Sequence, residues 1–478
     1  MSPTPPLEET TELHRPGAVP GRRAPTAQFA LVLMWSATEP ARVGEVVRVP
    51  PGDPVLLGRA GPSLVRPRPG ETRDTGPLNG RRLSRQHLRL QVVGRRLQVE
   101  NLGRLPLQVD GEPREQAVVE AGALIALAGE ALFRVALRPP RLEPLSTGYE
   151  PDFAWGAPDP DGLVGECPAT FALRDRLAFV GPRAGHVLVL GRSGTGKELA
   201  ARALHRHAGH PEAPFVARNA ATLPASLVDA ELFGHARDYP QSGMPARPGL
   251  VGEAQGGTLF LDEIGELPTG LQAHLLRLLD GGEYQRLGET GSRRADLRLV
   301  AATNREREAL KHDLLARFRH VVEVPDLDAR RDDVPLLVRH LLRAAAAEDA
   351  LIARRFVDAD GEPRVSAELI VALLRHPLPL QVRQLDTLLW RCLSESAGGV
   401  VEPVPELLAA AEEAEAPGEE ARDPRTVTRT EIEVALATHH GVQNRVWRAL
   451  GLQNRYVLRR LMHKFGIESG AEDAGDST

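Results

Sequence analysis

Lysine is nearly absent from this 478-residue chain. Of its 59 basic residues only three are lysine, Lys197, Lys311 and Lys464. A compact ammonium and a planar guanidinium differ chemically, so each lysine in an arginine-rich background either marks a place for a point charge or is a chance survivor. Cysteine is as scarce. Cys167 and Cys392 alone exclude a disulfide framework and a cysteine zinc site, and they fit a reducing compartment. No uncharged apolar run reaches the ~18 residues of a membrane helix. The opening MSPTPPLEETTELHRPG has no apolar stretch of the secretory type. These absences predict a cytoplasmic protein without membrane contact. A net charge of −5 excludes a polybasic chain overall but leaves room for a local basic face. Apolar residues, at 42%, suffice to bury cores, and at ~150 residues per domain the length predicts about three.

Composition shifts mark the boundaries. Residues 1–27 are proline-rich without hydrophobic period and read as a disordered arm. From 28 to 137 short β-type runs (FALVLMW, EVVRVP, HLRLQVV, LFRVAL) recur between Gly/Pro turns, which predicts an all-β sandwich. A Pro/Gly/Asp-rich linker spans 138–161. Apolar strands then alternate with helical stretches over 162–330, the pattern of a parallel α/β core. A helical lid follows over 331–398, an acidic linker over 399–424, a small all-α module over 425–467 and a polar tail over 468–478.

Chemistry concentrates in the centre. Gly191-Arg192-Ser193-Gly194-Thr195-Gly196-Lys197 follows the strand VLVL and opens a helix. Glycines let backbone amides curl around phosphates, the helix N-terminus adds positive potential, and Lys197 reaches the terminal oxygens. Glu198 stands where a Ser or Thr often ligates Mg²⁺. Downstream, GGTLFLDE ends an apolar strand in Asp262 and Glu263. Asp262 suits hydrated Mg²⁺, and Glu263 suits the general base that orients the attacking water. ATP and Mg²⁺ are the expected cofactors.

The segments LVLGRSGTGKELAARALH, FVARNAATLPASLVDAELFGH, GGTLFLDEIGELP, LQAHLLRLLDGGEYQRLG and LRLVAATN resemble the AAA+ domain of the sigma-54-dependent transcriptional activators. The resemblance covers about residues 162–395. It implies an AAA+ P-loop ATPase with a helical lid, and it makes Glu198 a family feature. It further implies that Asn304 is the polar sensor near the γ-phosphate and that Asn219 holds Glu263 in a switchable position. Arg383 matches the lid's second sensor. LKHDLLARFRH resembles the helix that lends cations to a neighbouring subunit, with Arg317 and Lys311 at the two finger positions. A ring, hexameric in the family, is therefore implied. Two departures stand out. The family's GAFTGA loop, which contacts sigma-54, is replaced by Ala236-Arg237-Asp238-Tyr239-Pro240-Gln241-Ser242-Gly243-Met244-Pro245-Ala246, and the lid's WPGN is LPLQ at 378–381.

Both ends carry further resemblances. From Gly441 to Ile467 there are six Arg/Lys and no Asp/Glu, a concentrated positive face. ALGLQNRYVLRRLMHKFGI resembles the Fis-type helix-turn-helix, which implies DNA as partner. Arg455, Tyr456 and Arg459 then fall early on the recognition helix and Arg460 and Lys464 beside phosphates. Near the N-terminus Gly58-Arg59, Ser84-Arg85-Gln86-His87 and Asp110-Gly111 resemble a forkhead-associated (FHA) domain. That implies phosphothreonine-peptide binding by Arg59 and Ser84, with Arg85 adding charge. Pro106-Leu107 replaces the family's Asn-Gly, so docking of an unphosphorylated protein stays open. The whole reads as an ATP-dependent, DNA-binding regulator of the sigma-54 activator type. Two alternatives are a DNA-binding regulator that no longer contacts sigma-54 RNA polymerase, and an ATPase that remodels a phosphoprotein.

Overall fold

The computed structural model describes residues 27–148, 151–224, 227–267, 269–304, 312–415 and 426–438. Beyond these it describes 446, 447, 450–452, 457, 458, 461, 462, 465 and 467.

Twelve strands build the N-terminal domain: β1 (Gln28–Ser36), β2 (Val46–Val49), β3 (Val55–Leu57), β4 (Leu64–Arg68), β5 (Glu71–Gly76), β6 (Leu88–Val93), β7 (Arg96–Asn101), β8 (Leu107–Val109), β9 (Glu112–Arg114), β10 (Gln116–Val119), β11 (Leu124–Leu127) and β12 (Ala131–Arg138). They form one sheet in the order β5-β4-β2-β1-β12-β11-β8-β9 and a second in the order β10-β7-β6-β3. β1 is unusual because both its faces are buried. Phe29, Leu31 and Leu33 point into the sandwich core with Val47, Phe133 and Val135. Ala30, Val32 and Met34 point the other way, into a core shared with the lid. That double burial explains the unbroken apolar run FALVLM, since a half-solvated strand would alternate.

The central domain is a five-stranded parallel sheet in the order β14-β15-β18-β13-β19, made of β13 (Val187–Leu190), β14 (Phe215–Asn219), β15 (Thr258–Asp262), β18 (Arg298–Thr303) and β19 (His320–Glu323); a hairpin of β16 (Glu283–Tyr284) and β17 (Arg293–Arg294) stands beside it. Helices α1 (Pro168–Val180), α2 (Lys197–His207), α3 (Val228–Phe233), α4 (Gly249–Glu253), α5 (Thr269–Gly281) and α6 (His312–Leu315) accompany it. Two apolar cores sandwich the sheet: Leu177, Leu204, Val189 and Phe260 on one face, Leu232, Leu259, Leu275 and Leu299 on the other. Parallel strands buried on both faces read as apolar runs, as VLVL and TLFL do.

The lid comprises α7 (Val334–Glu348), α8 (Ala350–Phe356), α9 (Ala367–Arg375), α10 (Gln381–Glu395) and α11 (Pro405–Glu415). The last of these corrects the sequence reading of 399–424 as a linker. Val401, Val404, Leu407 and Ala411 are buried in the lid core, so the helical unit runs on through α11. Acidic side chains along α11 hid that apolar stripe. Apart from Arg138, the last residue of β12, the 138–161 linker has no helix or strand among its described residues, yet it is anchored: Trp155 is 8% exposed and its Nε1 donates to Val43 O at 2.9 Å. Helix α12 (Arg429–Thr438) and the described residues near it form a separate cluster of Val427, Ile432, Val446, Leu450, Leu458 and Leu461. Arg455, Tyr456, Arg459, Arg460 and Lys464 lie outside the described residues. No described helix is long and apolar enough to cross a membrane.

Candidate nucleotide site

Three loops meet where adjacent parallel strands end. β13 runs into the 191–196 loop, β15 ends at Asp262-Glu263, and β18 ends at Thr303-Asn304, with Leu190 in register with Thr303. Gly191 N donates to Thr303 O at 3.3 Å, which ties the first and third. The loop turns at Gly194 and Gly196, with φ of +80° and +103°. At Gly194 a Cβ would sit 2.1 Å from Leu380 O, so only glycine fits. The loop then feeds directly into the eleven-residue helix α2, whose first-turn amides have no intrahelical acceptors.

Lys197 is 6% exposed. Its Nζ donates to Gly191 O at 3.1 Å and Arg192 O at 3.4 Å, and lies 3.7 Å from Glu263 Oε1. Glu263 adopts φ +53° at the strand end, and its Oε2 accepts from Asn304 N at 3.2 Å. Asp262 Oδ1 accepts from Glu263 N at 3.0 Å. The structure thus gathers Lys197, Asp262, Glu263 and Asn304. Asn219 does not join them: its Oδ1 accepts from Ala221 N at 2.9 Å, capping the following turn. Glu198 is exposed and pairs with Arg202 at 2.7 Å. The cradle of glycines, the buried ammonium and the helix N-terminus form a donor set that fits a chain of phosphates, and the lone carboxylate of Asp262 fits a cation that keeps most of its waters.

The lid closes one side. Arg383 Nη1 donates to Ser193 Oγ at 3.2 Å, and Val382 N donates to Gly194 O at 3.1 Å. The LPLQ departure gains a physical reason here. Gln381 is 1% exposed with φ +56°; its Oε1 accepts from Leu327 N at 2.5 Å and its Nε2 donates to Leu378 O at 3.0 Å. Its amide ties the lid's α10 to the chain entering the lid. Arg317 lies just after α6, 40% exposed in its side chain, and pairs with Asp280 of α5. Lys311 lies outside the described residues. Sequence reasoning missed Arg330, whose Nη2 donates to Thr195 O at 2.9 Å although it stands 135 residues away.

In the sandwich, the motif residues Arg59, Ser84 and Arg85 come together at one loop edge. Arg59 N donates to Ser84 O and Ala60 N to Arg85 O, both at 3.0 Å. A Cβ on Gly58 would strike Arg85 O at 2.5 Å, which accounts for that glycine. The buried His87 braces the turn: its Nδ1 accepts from Ser84 N at 3.0 Å. The Arg59 and Arg85 side chains are exposed. Asn101 closes the loop that leads to Pro106, donating to Leu105 O and accepting from Gly103 N, both at 3.1 Å.

A glycine cradle, a buried lysine, paired carboxylates on the next strand but one and an arginine from a helical lid define a P-loop ATPase domain of the AAA+ kind. The family model of the sigma-54 interaction domain matches residues 163–322. The nitric oxide reductase transcription regulator NorR1 of Cupriavidus necator is 37% identical over 331 residues, covering 64% of this chain and 62% of NorR1. The transcriptional regulatory protein ZraR of Escherichia coli K12 is 34% identical over 310 residues, covering 63% of this chain and 68% of ZraR. The DNA-binding transcriptional regulator NtrC of Escherichia coli K12 is 39% identical over 234 residues, 47% of each chain. The chain belongs to the sigma-54 activator family of transcriptional regulators, and its central domain is that family's ATPase domain. It spans 62% of NorR1 and about half of NtrC.

Proposed function

We propose that this chain hydrolyses ATP in a ring, hexameric by resemblance, to regulate transcription from DNA-bound sites, with its β-sandwich as the input. The observation that carries this reading is the convergence of Lys197, Glu263, Asn304 and the lid's Arg383 on one glycine loop. Bound ATP with Mg²⁺ supplies the cleavable phosphoanhydride. Lys197 and the loop amides hold its phosphates, Asp262 holds the metal, and Glu263 takes the proton of the attacking water once released from Lys197. Arg317 and Lys311 of a neighbouring protomer offset charge on the transferred group, an effect of roughly 10³–10⁵ in rate where such cations have been removed. Arg455, Tyr456 and Arg459 read DNA, Arg460 and Lys464 hold its backbone, and Arg59, Ser84 and Arg85 take a phosphothreonine.

One observation favours a second reading of the output. The 236–246 loop folds on itself, with Asp238 N donating to Met244 O at 2.9 Å and Tyr239 seated against Gly288. In that reading ATP governs assembly on DNA and sigma-54 is not touched. An in vitro assay of ATP-dependent open-complex formation on a sigma-54 promoter separates the two. Opening supports remodelling through the divergent loop, and its absence at every protein concentration leaves the DNA-binding regulator.

A further inference from the structure

Four consecutive residues, Arg330 to Asp333, reach four different parts of the molecule. Arg330 donates to Thr195 O in the glycine loop at 2.9 Å. Arg331 Nη1 donates to Leu374 O at 2.7 Å and His376 O at 3.0 Å, at the end of lid helix α9. Asp332 accepts from the sandwich: Arg134 Nη1 on one oxygen and Arg138 Nη2 on the other, both at 2.7 Å. Asp333, 1% exposed, accepts from Glu166 N at 2.8 Å, Cys167 N at 3.0 Å and Thr170 Oγ1 at 2.5 Å, at the entry to α1.

The sandwich is therefore wired to the glycine loop through three consecutive residues, Asp332 to Arg330. Asp332 is 12% exposed in its side chain, and each of its oxygens is held by a different arginine of one strand, β12, so its pairing is a two-point, partly desolvated contact rather than a loose surface pair. A second strut runs parallel to it. Arg68 of β4 donates to Glu166 Oε1 at 2.9 Å, and the amide of that same residue is held by Asp333. Between the struts the packing is apolar, with Ala30, Val32, Met34 and Leu132 of the sandwich against Val338 and Ile370 of the lid, and Trp35 Nε1 donating to Val365 O at 2.8 Å. Tight packing transmits displacement because such interfaces switch rather than stretch.

We propose that Asp332 is a positioning residue for the nucleotide site: the sandwich, gripping Asp332 through Arg134 and Arg138, sets Arg330 and with it the carbonyl of Thr195, so that sandwich docking and nucleotide binding favour each other. The proposal rests on reading 191–197 as a nucleotide loop. By reciprocity, bound nucleotide tightens the sandwich by the same factor that docking tightens nucleotide.

The test uses the full chain and a fluorescent, slowly hydrolysed ATP analogue with Mg²⁺. Asp332→Asn and the double variant Arg134→Gln/Arg138→Gln each weaken binding about five-fold or more. Combining all three weakens it no further, because one contact is removed in each case. Arg96→Gln, which breaks the exposed Arg96–Glu120 pair, binds as wild type does. Saturating analogue slows amide hydrogen exchange in β12 of wild type but not of the double variant, a response that a purely structural role would not give. Should Asp332→Asn fail to fold, the double variant on the sandwich side decides. Wild-type affinity in the variants, or losses that multiply in the combination, overturns the coupling alone. A wild-type chain that does not bind the analogue overturns the nucleotide reading as well.

Discussion

The 191–196 loop and the 236–246 loop leave the same domain, and both turn on glycines with positive φ, +80° at Gly194 and +90° at Gly243. Their surroundings differ completely. The first is pressed from every side: Leu380 O abuts Gly194, Arg330 holds Thr195, Lys197 reaches back to Gly191 and Arg383 bears on Ser193. The second leaves Tyr239 39% and Met244 37% exposed, and a Cβ on Gly243 would meet nothing within 4 Å. A loop that orders phosphates is preorganised by its own domain. A loop whose apolar tips face outward leaves its contacts to be made by something else.

That contrast breaks most visibly at Lys197. Lys197→Ala removes the ammonium that the loop's own helix brings to the phosphates and should lower ATP turnover by at least about 10²–10³-fold, as read by phosphate release; turnover within a few-fold of wild type would remove the lysine from the site. Alanine at the two glycines sharpens the comparison. At Gly194 it combines strain with a clash on Leu380 O, so nucleotide affinity should fall ten-fold or more, by about 1.4 kcal/mol. At Gly243 it costs about 1 kcal/mol of local strain and leaves nucleotide titrations unchanged. Equal effects at both sites would erase the distinction. Tyr239→Ala is expected to keep ATP hydrolysis within two-fold while reducing promoter opening, and a loss of hydrolysis would show that the loop belongs to the ATP site after all.

The smallest effect lies in the sandwich. Burial holds the His87 imidazole below its ordinary value, partly offset by the Leu105 backbone. The unfolded chain therefore takes this proton first, so the contribution is present above about pH 6.5 and is lost as the pH falls below that, through the lower folded value. Between pH 7 and pH 5 wild type should lose thermal stability relative to His87→Gln. A relative gain would mean that the ring is charged in the fold.

Much of the nucleotide site was legible in the residues because phosphate binding constrains local sequence: GRSGTGK and GGTLFLDE each name their own geometry. The sandwich's docking was legible only in part. FALVLM announces burial on both faces but not what covers the second one. The junction at 330–333 was invisible, since four charged residues in a row look like solvated surface, and their partners lie in four separate stretches of chain. Gln381 was equally silent, its amide acting on Leu327, 54 residues away. Likewise Asn219 matched a motif, yet its side chain caps its own turn; motif register fixes a residue's position, not its hydrogen-bond partner.

Shared sites between protomers are the central claim, and mixing two inactive proteins tests it most directly. Glu263→Gln keeps its cations but lacks the base, and Arg317→Ala keeps the base but lacks one cation. ATP turnover is measured for each alone and for equimolar mixtures across protein concentrations. The account predicts little activity from either, partial recovery on mixing, and recovery that vanishes on dilution to monomer. Full activity of Arg317→Ala alone, or mixtures no better than the average of their parts, would contradict it.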